Sequence, residues 1–298
     1  MKRITATLAL ALLPVCAAAQ ELTPGAYWPV PAGINIMTFV NAYNWGDVTF
    51  DPALPVDDAH ARIDAAIVAY TRAIAVAGRT ANLGIQLPIV GGHVEGLYAG
   101  VPTTVDRFGL GDPAVRFGIN LYGAPSMPPK TFAAYRMHTL VGASLTVVPP
   151  LGQYDNTKLI NLGSHRWSVK PDVGVSRAIG AWVVEGMAGV WLFSDNRDFN
   201  QGHVRTQDAI VSVQGHLTYR FSQRIWLAGD ANFYRGGQTA VDGARHQDLQ
   251  KNSRIGSTFS WGINARSAIR ASISEGAYST VGADFTSIAV GYNYAWVR

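Results

Sequence analysis

Alternation of apolar and polar side chains with a period of two dominates this sequence. Between Tyr135 and Val148 the odd-numbered residues are mostly apolar, whereas the even-numbered residues are polar or small. Because successive side chains of a strand point to opposite faces, this period indicates a β-strand rather than a helix. The pattern recurs, and the predicted strands are Gly33–Asn44, Ile63–Val76, Thr80–Val90, Asp112–Asn120, Tyr135–Val148, Arg166–Ser176, Trp182–Phe193, Ala209–Arg220, Ile225–Tyr234, Arg254–Ile263, Ala268–Ser274 and Thr286–Trp296.

Short and long connections alternate between these predicted strands. Tight turns are expected near Gly78 and Gly180, whereas Trp45–Arg62 and Gly91–Leu110 are expected to be long loops. This order is typical of outer-membrane barrels, which have short periplasmic turns and long external loops. A sheet in hydrocarbon must close on itself to pair its backbone groups. We therefore predict an all-β protein, a transmembrane antiparallel β-barrel of about 12 strands over residues 33–298.

Tryptophans at strand ends distinguish this fold from a soluble β-sandwich, whose strands would also alternate. Trp182 opens one predicted strand, and Trp261 and Trp296 close two others, each near a tight turn. Tryptophan is enriched where membrane and water meet. Hydrophobic residues make up 48% of the chain and charged residues 15%, which argues against disorder. After the first residues, no stretch approaches the ~20 apolar residues that a spanning helix needs.

The N-terminus has the three parts of a secretory signal. Lys2 and Arg3 precede an apolar run from Ile4 to Val15, and small residues occupy positions 17–19. Cleavage before Gln20 is expected, with residues 1–19 as the signal peptide; lipid attachment at Cys16 is the alternative. Cys16 is the only cysteine of the sequence, so a disulfide framework is excluded. We expect export to the bacterial outer membrane.

Three stretches carry a resemblance to a known family. They are Leu110-Gly111-Asp112-Pro113 with Arg116-Phe117-Gly118, the block Asn161-Leu162-Gly163-Ser164-His165-Arg166-Trp167-Ser168 continuing through Lys170-Pro171-Asp172-Val173-Gly174, and Glu185 with Gly189, Trp191, Phe193 and Asn196. In these residues the chain resembles a bacterial family of transporters of the MetA pathway of phenol degradation. The resemblance implies an outer-membrane barrel that passes small molecules and is encoded near pathways for aromatic degradation.

The candidate site residues are the charged residues at the polar positions of the alternating strands. These positions face the barrel interior if the apolar positions face lipid. The predicted pore-lining residues are Arg116, Arg136, Arg166, Lys170, Asp172, Glu185, Arg220, Asp230, Arg254 and Arg270, with Asp112 as a further acid. Arginine and carboxylate on facing strands can pair and brace the interior. Alternatively, surplus basic charge lines a water-filled path and favours anions such as aromatic carboxylates.

The segment 20–32 is a candidate lumen plug. Pro24, Pro29 and Pro31 exclude a regular strand there. Tyr27 and Trp28 lie between these prolines, and both rings would be exposed in a free tail. Folding of the segment into the lumen and a periplasmic tail remain equal alternatives. The interior of a barrel of 12 strands is intermediate in width between a barrel that its own side chains fill and a barrel with a wide channel.

We predict a channel for passive uptake of small aromatic or hydrophobic solutes. A structural or adhesive barrel with a closed lumen is the alternative, followed by a lipid-modifying enzyme. No catalytic motif or phosphate-binding loop is present in the sequence, so we expect no enzyme, no metal and no cofactor. The expected partners are outer-membrane lipid and lipopolysaccharide, the barrel-assembly machinery and small solutes. Lys and Arg number 24 against 20 Asp and Glu, a balance that does not suggest nucleic acid.

Overall fold

The structure is a computed structural model that describes residues 22–49, 56–132, 134–158 and 160–297. The predicted signal peptide, residues 1–19, lies outside the described residues. In the part of the chain that the structure describes, no helix has the length and apolar character needed to cross a membrane.

Strands account for most of the described chain. In chain order the elements are β1 (Ile34–Thr49), β2 (Val56–Val76), β3 (Arg79–Tyr98), β4 (Val101–Leu110), β5 (Ala114–Tyr122), α1 (Pro129–Phe132), β6 (Thr139–Val148), β7 (Ser168–Ile179), β8 (Trp182–Phe193), β9 (Asn196–Phe199), β10 (His203–Gln207), β11 (Ile210–Arg220), β12 (Ile225–Gly236), β13 (Thr239–Val241), β14 (Ala244–Arg245), β15 (Gln250–Gly262), β16 (Ser267–Tyr278) and β17 (Gly282–Val297).

Twelve of these strands form a closed antiparallel barrel, which confirms the predicted fold. Each barrel strand pairs with the next one along the chain, and β1 closes the cylinder by pairing with β17 from Ile34–Val297 to Thr49–Gly282. Strands β9, β10, β13 and β14 form a separate four-stranded sheet in the connections at one end of the barrel. We call that end the loop end and the opposite end, with its tight turns, the periplasmic end.

The apolar side chains of the alternating pattern lie on the outer surface of the barrel. In β2, Val68 is 37% exposed, while the neighbouring Ile67 and Ala69 point to the interior. Trp182 and Trp261 are 45% and 47% exposed at the periplasmic ends of their strands. Large apolar side chains that are exposed on an outer surface are unfavourable in water but suit contact with lipid. The alternation in the sequence thus separates the lipid-facing surface from the interior.

The first strands are longer than expected, and two predicted loops are wrong. β1 continues to Thr49, β2 has 21 residues, and the stretch from Gly91 to Leu110 forms the hairpin of β3 and β4 instead of a long loop. The outward residues in this region include Arg62, which pairs with His93 across β2 and β3. These outward residues are polar while the inward Ala61 and Ile63 are buried, so the apolar and polar positions are exchanged there while backbone pairing continues.

A break at residues 111–113 separates β4 from β5. Leu110 pairs with Ile89 and Ala114 with Gln86, so β4 and β5 lie along one strand, β3. Proline lacks a backbone N–H and is tolerated at such interruptions, which accounts for Pro113. β4 therefore continues the line of β5 towards the loop end.

Asp112 lies in this break and fixes the loop that follows β6. One carboxylate oxygen of Asp112 accepts from the Gly152 N–H at 2.8 Å, and the other accepts from the Ser164 N–H and hydroxyl at 2.7 Å. Our placement of Asp112 on the lumen face of a strand was therefore wrong. Backbone turns bring three donors to this carboxylate, and strand parity gives no sign of such a contact.

Candidate functional site

The interior of the barrel has two unlike sides. The polar wall comprises β5 to β8, β11, β12, β15 and β16, and the apolar wall comprises β17 and β1 to β3. Residues of the polar wall that are almost fully buried are Ser144, Lys170, Asp172, Glu185, His216, Asp230 and Arg254. Residues of the apolar wall that are half-buried and face the interior are Val40, Ala42, Ala65, Ile67, Ala69 and Ala289.

The N-terminal segment, residues 22–33, lies inside the barrel against the polar wall. At its periplasmic end the Gly33 N–H donates to the Ala73 carbonyl at 2.9 Å. Further in, the Leu22 side chain packs on Gly256 of β15. Between these points, Tyr27 is only 3% exposed. The segment accounts for much of the burial of the polar wall.

A gap made by two glycines accommodates the Tyr27 ring. Gly142 and Gly174 are paired across β6 and β7. A Cβ added to either glycine would overlap the Tyr27 ring, and Gly174 also lies against Met187. A side chain at either position would therefore exclude the ring from its present place.

The Tyr27 hydroxyl enters a buried hydrogen-bonded group. It donates to the Asp172 carboxylate, whose other oxygen accepts from the Ser144 hydroxyl at 2.8 Å. Burial, reinforced by the hydrogen bond to Asp172, raises the pKa of Tyr27 above its usual range. A tyrosine phenol is already protonated at neutral pH, and the raised pKa extends its role as a donor to more alkaline pH.

Glu185 fixes the segment at a second point. Its carboxylate accepts from the Gly25 N–H at 3.0 Å, the Trp28 indole N–H at 3.1 Å and the Ser176 hydroxyl at 2.8 Å. The Trp28 ring contacts Trp226 edge-on, with 5.6 Å between ring centroids. Buried polar groups that are fully bonded hold a single arrangement, so Glu185 and Asp172 together position the segment.

A third carboxylate on the polar wall bonds to the wall itself. Asp230 lies 2.7 Å from His216 Nδ1 and accepts from the Thr258 hydroxyl at 2.7 Å. Both His216 and Asp230 are almost fully buried. The described partners of the three lumen carboxylates are thus tyrosine, tryptophan, serine, threonine, histidine and backbone groups.

Basic side chains of the interior lie over aromatic rings. Four cations pack in this way at 4.3–5.5 Å from the ring centroids: Arg116 over Tyr27, Arg166 over Phe193, Lys170 over Trp191 and Arg270 over Trp226. Such contacts contribute more when water is excluded. Aromatic rings of the polar wall and of the N-terminal segment therefore hold these cations in place.

The ten predicted pore residues differ in how much water they meet. Buried on the polar wall are Lys170, Asp172, Glu185, Asp230 and Arg254, and Arg166 is buried in the connection just before β7, not on the strand. Arg116 is half-buried, and Arg270 is exposed to the interior space. The Arg220 guanidinium reaches the Gly180 carbonyl at 2.8 Å in the periplasmic turn. These positions favour bracing for most of the set over contact with a water-filled path.

Arg136 does not lie on a strand. β6 begins at Thr139, and Arg136 is exposed in the connection before it. Its guanidinium donates to the Tyr135 carbonyl at 3.0 Å. The prediction that Arg136 lines the pore through the parity of its strand was therefore wrong. Alternation over Tyr135–His138 imitates a strand, although the backbone there has left the sheet.

Several residues that form the site were not predicted from the sequence. Ser144 and Ser176 donate to the two carboxylates that hold the N-terminal segment, and Gly142 and Gly174 make room for it. Glycine on the polar parity of consecutive strands was a usable signal, because a missing side chain there indicates close approach of another group. The bonding role of the two serines gave no such signal.

Comparisons with known proteins place the chain among outer-membrane barrels. The model of the family described as "Putative MetA-pathway of phenol degradation" matches residues 53–294. The COG4313 outer membrane channel from Pseudomonas putida F1 is 20% identical, with a TM-score of 0.78 over 93% of this chain and 100% of that one. The transport unit of the autotransporter AIDA-I from Escherichia coli is 8% identical, with a TM-score of 0.51 over 95% of each chain.

At these identities, both likenesses concern the fold. No match was found among curated proteins.

Proposed function

This chain belongs to the MetA-pathway phenol-degradation family, and on that premise we propose that it is an outer-membrane channel for passive uptake of small aromatic or hydrophobic solutes. Solutes cross the barrel along its interior and down their own gradient, with no catalytic step. Lipopolysaccharide surrounds the loop end, and the barrel-assembly machinery folds and inserts the chain.

The accessible apolar wall is the observation that carries this proposal. Ile67 and Ala69 face the interior and are half-buried, and Gln86 beside them is exposed. A surface of small apolar side chains gives an aromatic ring contact without demanding hydrogen bonds. The polar wall offers no comparable apolar surface, since most of its charged side chains are buried and Arg270 is the charged residue of that wall that is exposed to the interior.

The N-terminal segment is proposed as a plug that narrows the path to the apolar side. Its support is the bonding of Gly25 and Trp28 to Glu185 and of Tyr27 to Asp172. These bonds fix the segment across part of the lumen while the apolar wall stays free. The segment thereby sets the width of the path, and the two carboxylates hold it in place.

Deletion of residues 22–31 tests both proposals in planar bilayers. Because the segment fills one side of an intermediate lumen, single-channel conductance is expected to rise to roughly twice its value or more. Heat-dependent mobility on a gel verifies that the variant is folded. Unchanged conductance in a folded variant contradicts the plug.

Solute uptake is measured in cells with intact lipopolysaccharide, which slows the direct passage of hydrophobic solutes through the outer leaflet. Cells that express the protein are expected to take up small labelled aromatic solutes faster than cells with an empty vector.

A closed structural barrel is the second candidate, favoured by the burial of six of the predicted pore residues. Such a barrel conducts no ions and gives no gain in uptake. Ion conductance of the unmodified protein therefore separates the two candidates.

A further inference from the structure

The periplasmic end of the barrel carries basic side chains without acidic ones. Its connections and the adjoining strand ends comprise residues 70–84, 117–143, 174–184, 217–228 and 258–271, and these stretches of the sequence contain no Asp or Glu. We use the name basic rim for their exposed basic residues, which are Arg72, Arg79, Lys130, Arg136, Arg177, Arg224 and Arg266. Every periplasmic connection of the described chain holds or lies beside a member of the basic rim.

Exposed arginines at the loop end differ, because carboxylates lie beside them. Arg62 Nη2 lies 3.7 Å from a Glu95 carboxylate oxygen, and Arg245 forms a salt bridge with Asp208. At the periplasmic end the sequence offers no carboxylate for such pairs. An external anion can therefore supply the negative charge that compensates the basic rim.

Two members of the basic rim point sideways, towards the lipid that surrounds the barrel. Arg177 lies on the outer face of β7 between Val175 and Ile179, which are 49% and 57% exposed. Arg72 lies on the outer face of β2, the face that also carries Val68. The stem of an arginine can lie along an apolar surface while its guanidinium reaches the polar layer. Both guanidinium groups can therefore reach the polar layer at the edge of the membrane.

Tryptophans indicate the level of these two arginines relative to the membrane. On β8, Trp182 lies two residues nearer the turn than the register partner of Arg177. On β17, Trp296 lies in line with Arg72 across β1. Tryptophan is enriched at the boundary between hydrocarbon and headgroups. The two guanidinium groups therefore lie at the level of the lipid headgroups.

The phosphate groups of anionic phospholipids fit this arrangement. A guanidinium group binds phosphate oxygens through two parallel N–H donors. A zwitterionic headgroup carries a cationic ammonium group beside its phosphate, and the arginines repel that ammonium group. An acidic protein could approach the turns from the periplasm, but Arg72 and Arg177 point sideways among lipids. Their direction favours lipid over protein as the partner.

We propose that the basic rim binds the headgroups of anionic phospholipids in the inner leaflet of the outer membrane. Arg72 and Arg177 contact headgroups beside the barrel, and Arg224 and Arg266 contact them from the turns. These contacts hold the periplasmic end of the barrel at the level of the inner leaflet. The inference goes beyond the proposed function, because it requires a barrel in a membrane but no passage of solute.

Spin-labelled lipids measure this binding in phosphatidylcholine vesicles that contain the purified protein. Phosphatidylglycerol and phosphatidylcholine carry the same label on an acyl chain, and the motion-restricted fraction of each reports lipid in contact with the barrel. At low salt we expect phosphatidylglycerol to associate roughly threefold more strongly than phosphatidylcholine. About 1 M NaCl should bring this ratio close to one. Equal association of the two lipids at low salt would overturn the proposal.

Substitution of four members of the basic rim locates the binding. A variant that combines Arg72→Gln, Arg177→Gln, Arg224→Gln and Arg266→Gln is expected to lower the ratio below about 1.5. Heat-dependent mobility on a gel verifies that the variant is folded. If it does not fold, the pair Arg72→Gln and Arg177→Gln is measured instead and is expected to lose roughly half of the preference. An unchanged ratio in the folded variant would overturn the assignment.

The matched control makes the same change of charge at the loop end. Arg62, Arg197, Arg235 and Arg245 are exposed there, and their combined replacement by Gln is expected to leave the ratio as in the unmodified protein. An equal loss of preference in both variants would show that the preference follows the net charge of the protein. That result would also overturn the proposal.

Discussion

The two walls of the barrel interior differ in what covers them. On the polar wall, Asp172 and Glu185 are buried and bonded to the N-terminal segment. On the apolar wall, Ala69 and Gln86 remain accessible from the interior. Charge within the barrel thus serves mainly to hold the chain's own segment, whereas the surface left for a solute is nearly uncharged. The number of charged residues at inward-facing positions of the sequence would instead suggest a charged solute path.

The difference also shows how charge is kept inside the barrel. An unpaired buried charge is costly, so each carboxylate needs donors around it. Two or three donors surround each of Asp172, Glu185 and Asp230. The apolar wall needs no such arrangement and can remain open. An amphipathic lumen of this kind favours solutes with an apolar face.

The largest expected effect comes from filling the space of the Tyr27 ring. Gly142→Val places a side chain where the ring lies, and we expect it to displace the segment from the polar wall. Single-channel conductance should then rise to roughly the level of the deletion variant, about twofold or more. Gly186→Val is the matched control, since Gly186 has no neighbour within 4 Å of an added Cβ. Equal conductance of the two variants would contradict the account.

A smaller effect is expected from removing one hydroxyl. Tyr27→Phe keeps the ring but removes the hydroxyl that donates to one carboxylate oxygen of buried Asp172, which should lower the free energy of unfolding by about 1–3 kcal/mol. Denaturant unfolding in detergent micelles measures this loss. Tyr43→Phe changes a tyrosine that is 39% exposed on the outer surface and should alter stability by less than about 0.5 kcal/mol. A similar loss in both variants would show that the buried hydrogen bond contributes no more to stability than an exposed hydroxyl does.

The smallest effect is expected at Arg136. Because its side chain is exposed in the connection before β6, Arg136→Gln should change neither conductance nor ion selectivity. Reversal potentials in a salt gradient measure the selectivity. A shift of the ion selectivity towards cations would show that Arg136 lines the pore.

Much of the barrel could be predicted from the sequence because lipid on one side imposes a strict period of two. β8 and β12 begin at Trp182 and Ile225, as predicted. Prediction failed at the loop end of β2 and β3, where the lipid-facing pattern is reversed. Around Arg62 and His93 the outward side chains are polar, whereas Ala61 and Ile63 are buried inside the barrel with Phe285, so the apolar residues no longer mark the lipid-facing surface.

The candidate site was less predictable, because parity reports which way a side chain points but not what covers it. Parity placed Asp172 and Glu185 inside but could not indicate that Tyr27 and Trp28, more than a hundred residues away, would bond to them. The pairing of Gly142 with Gly174 depends on the register of β6 and β7. Register follows from the folded sheet and cannot be read from either strand alone.

Accessibility of single cysteines during conduction tests most directly whether the path follows the apolar wall. The sequence has one cysteine, Cys16, within the predicted signal peptide, so Ala69→Cys and Ser212→Cys each add a single reporter to the barrel. Ala69 is half-buried on the apolar wall, and Ser212 is 2% exposed on the polar wall. We predict that a thiol reagent added to the bilayer chamber reduces the current through Ala69→Cys and leaves that through Ser212→Cys unchanged. Block at Ser212→Cys without block at Ala69→Cys would contradict the account.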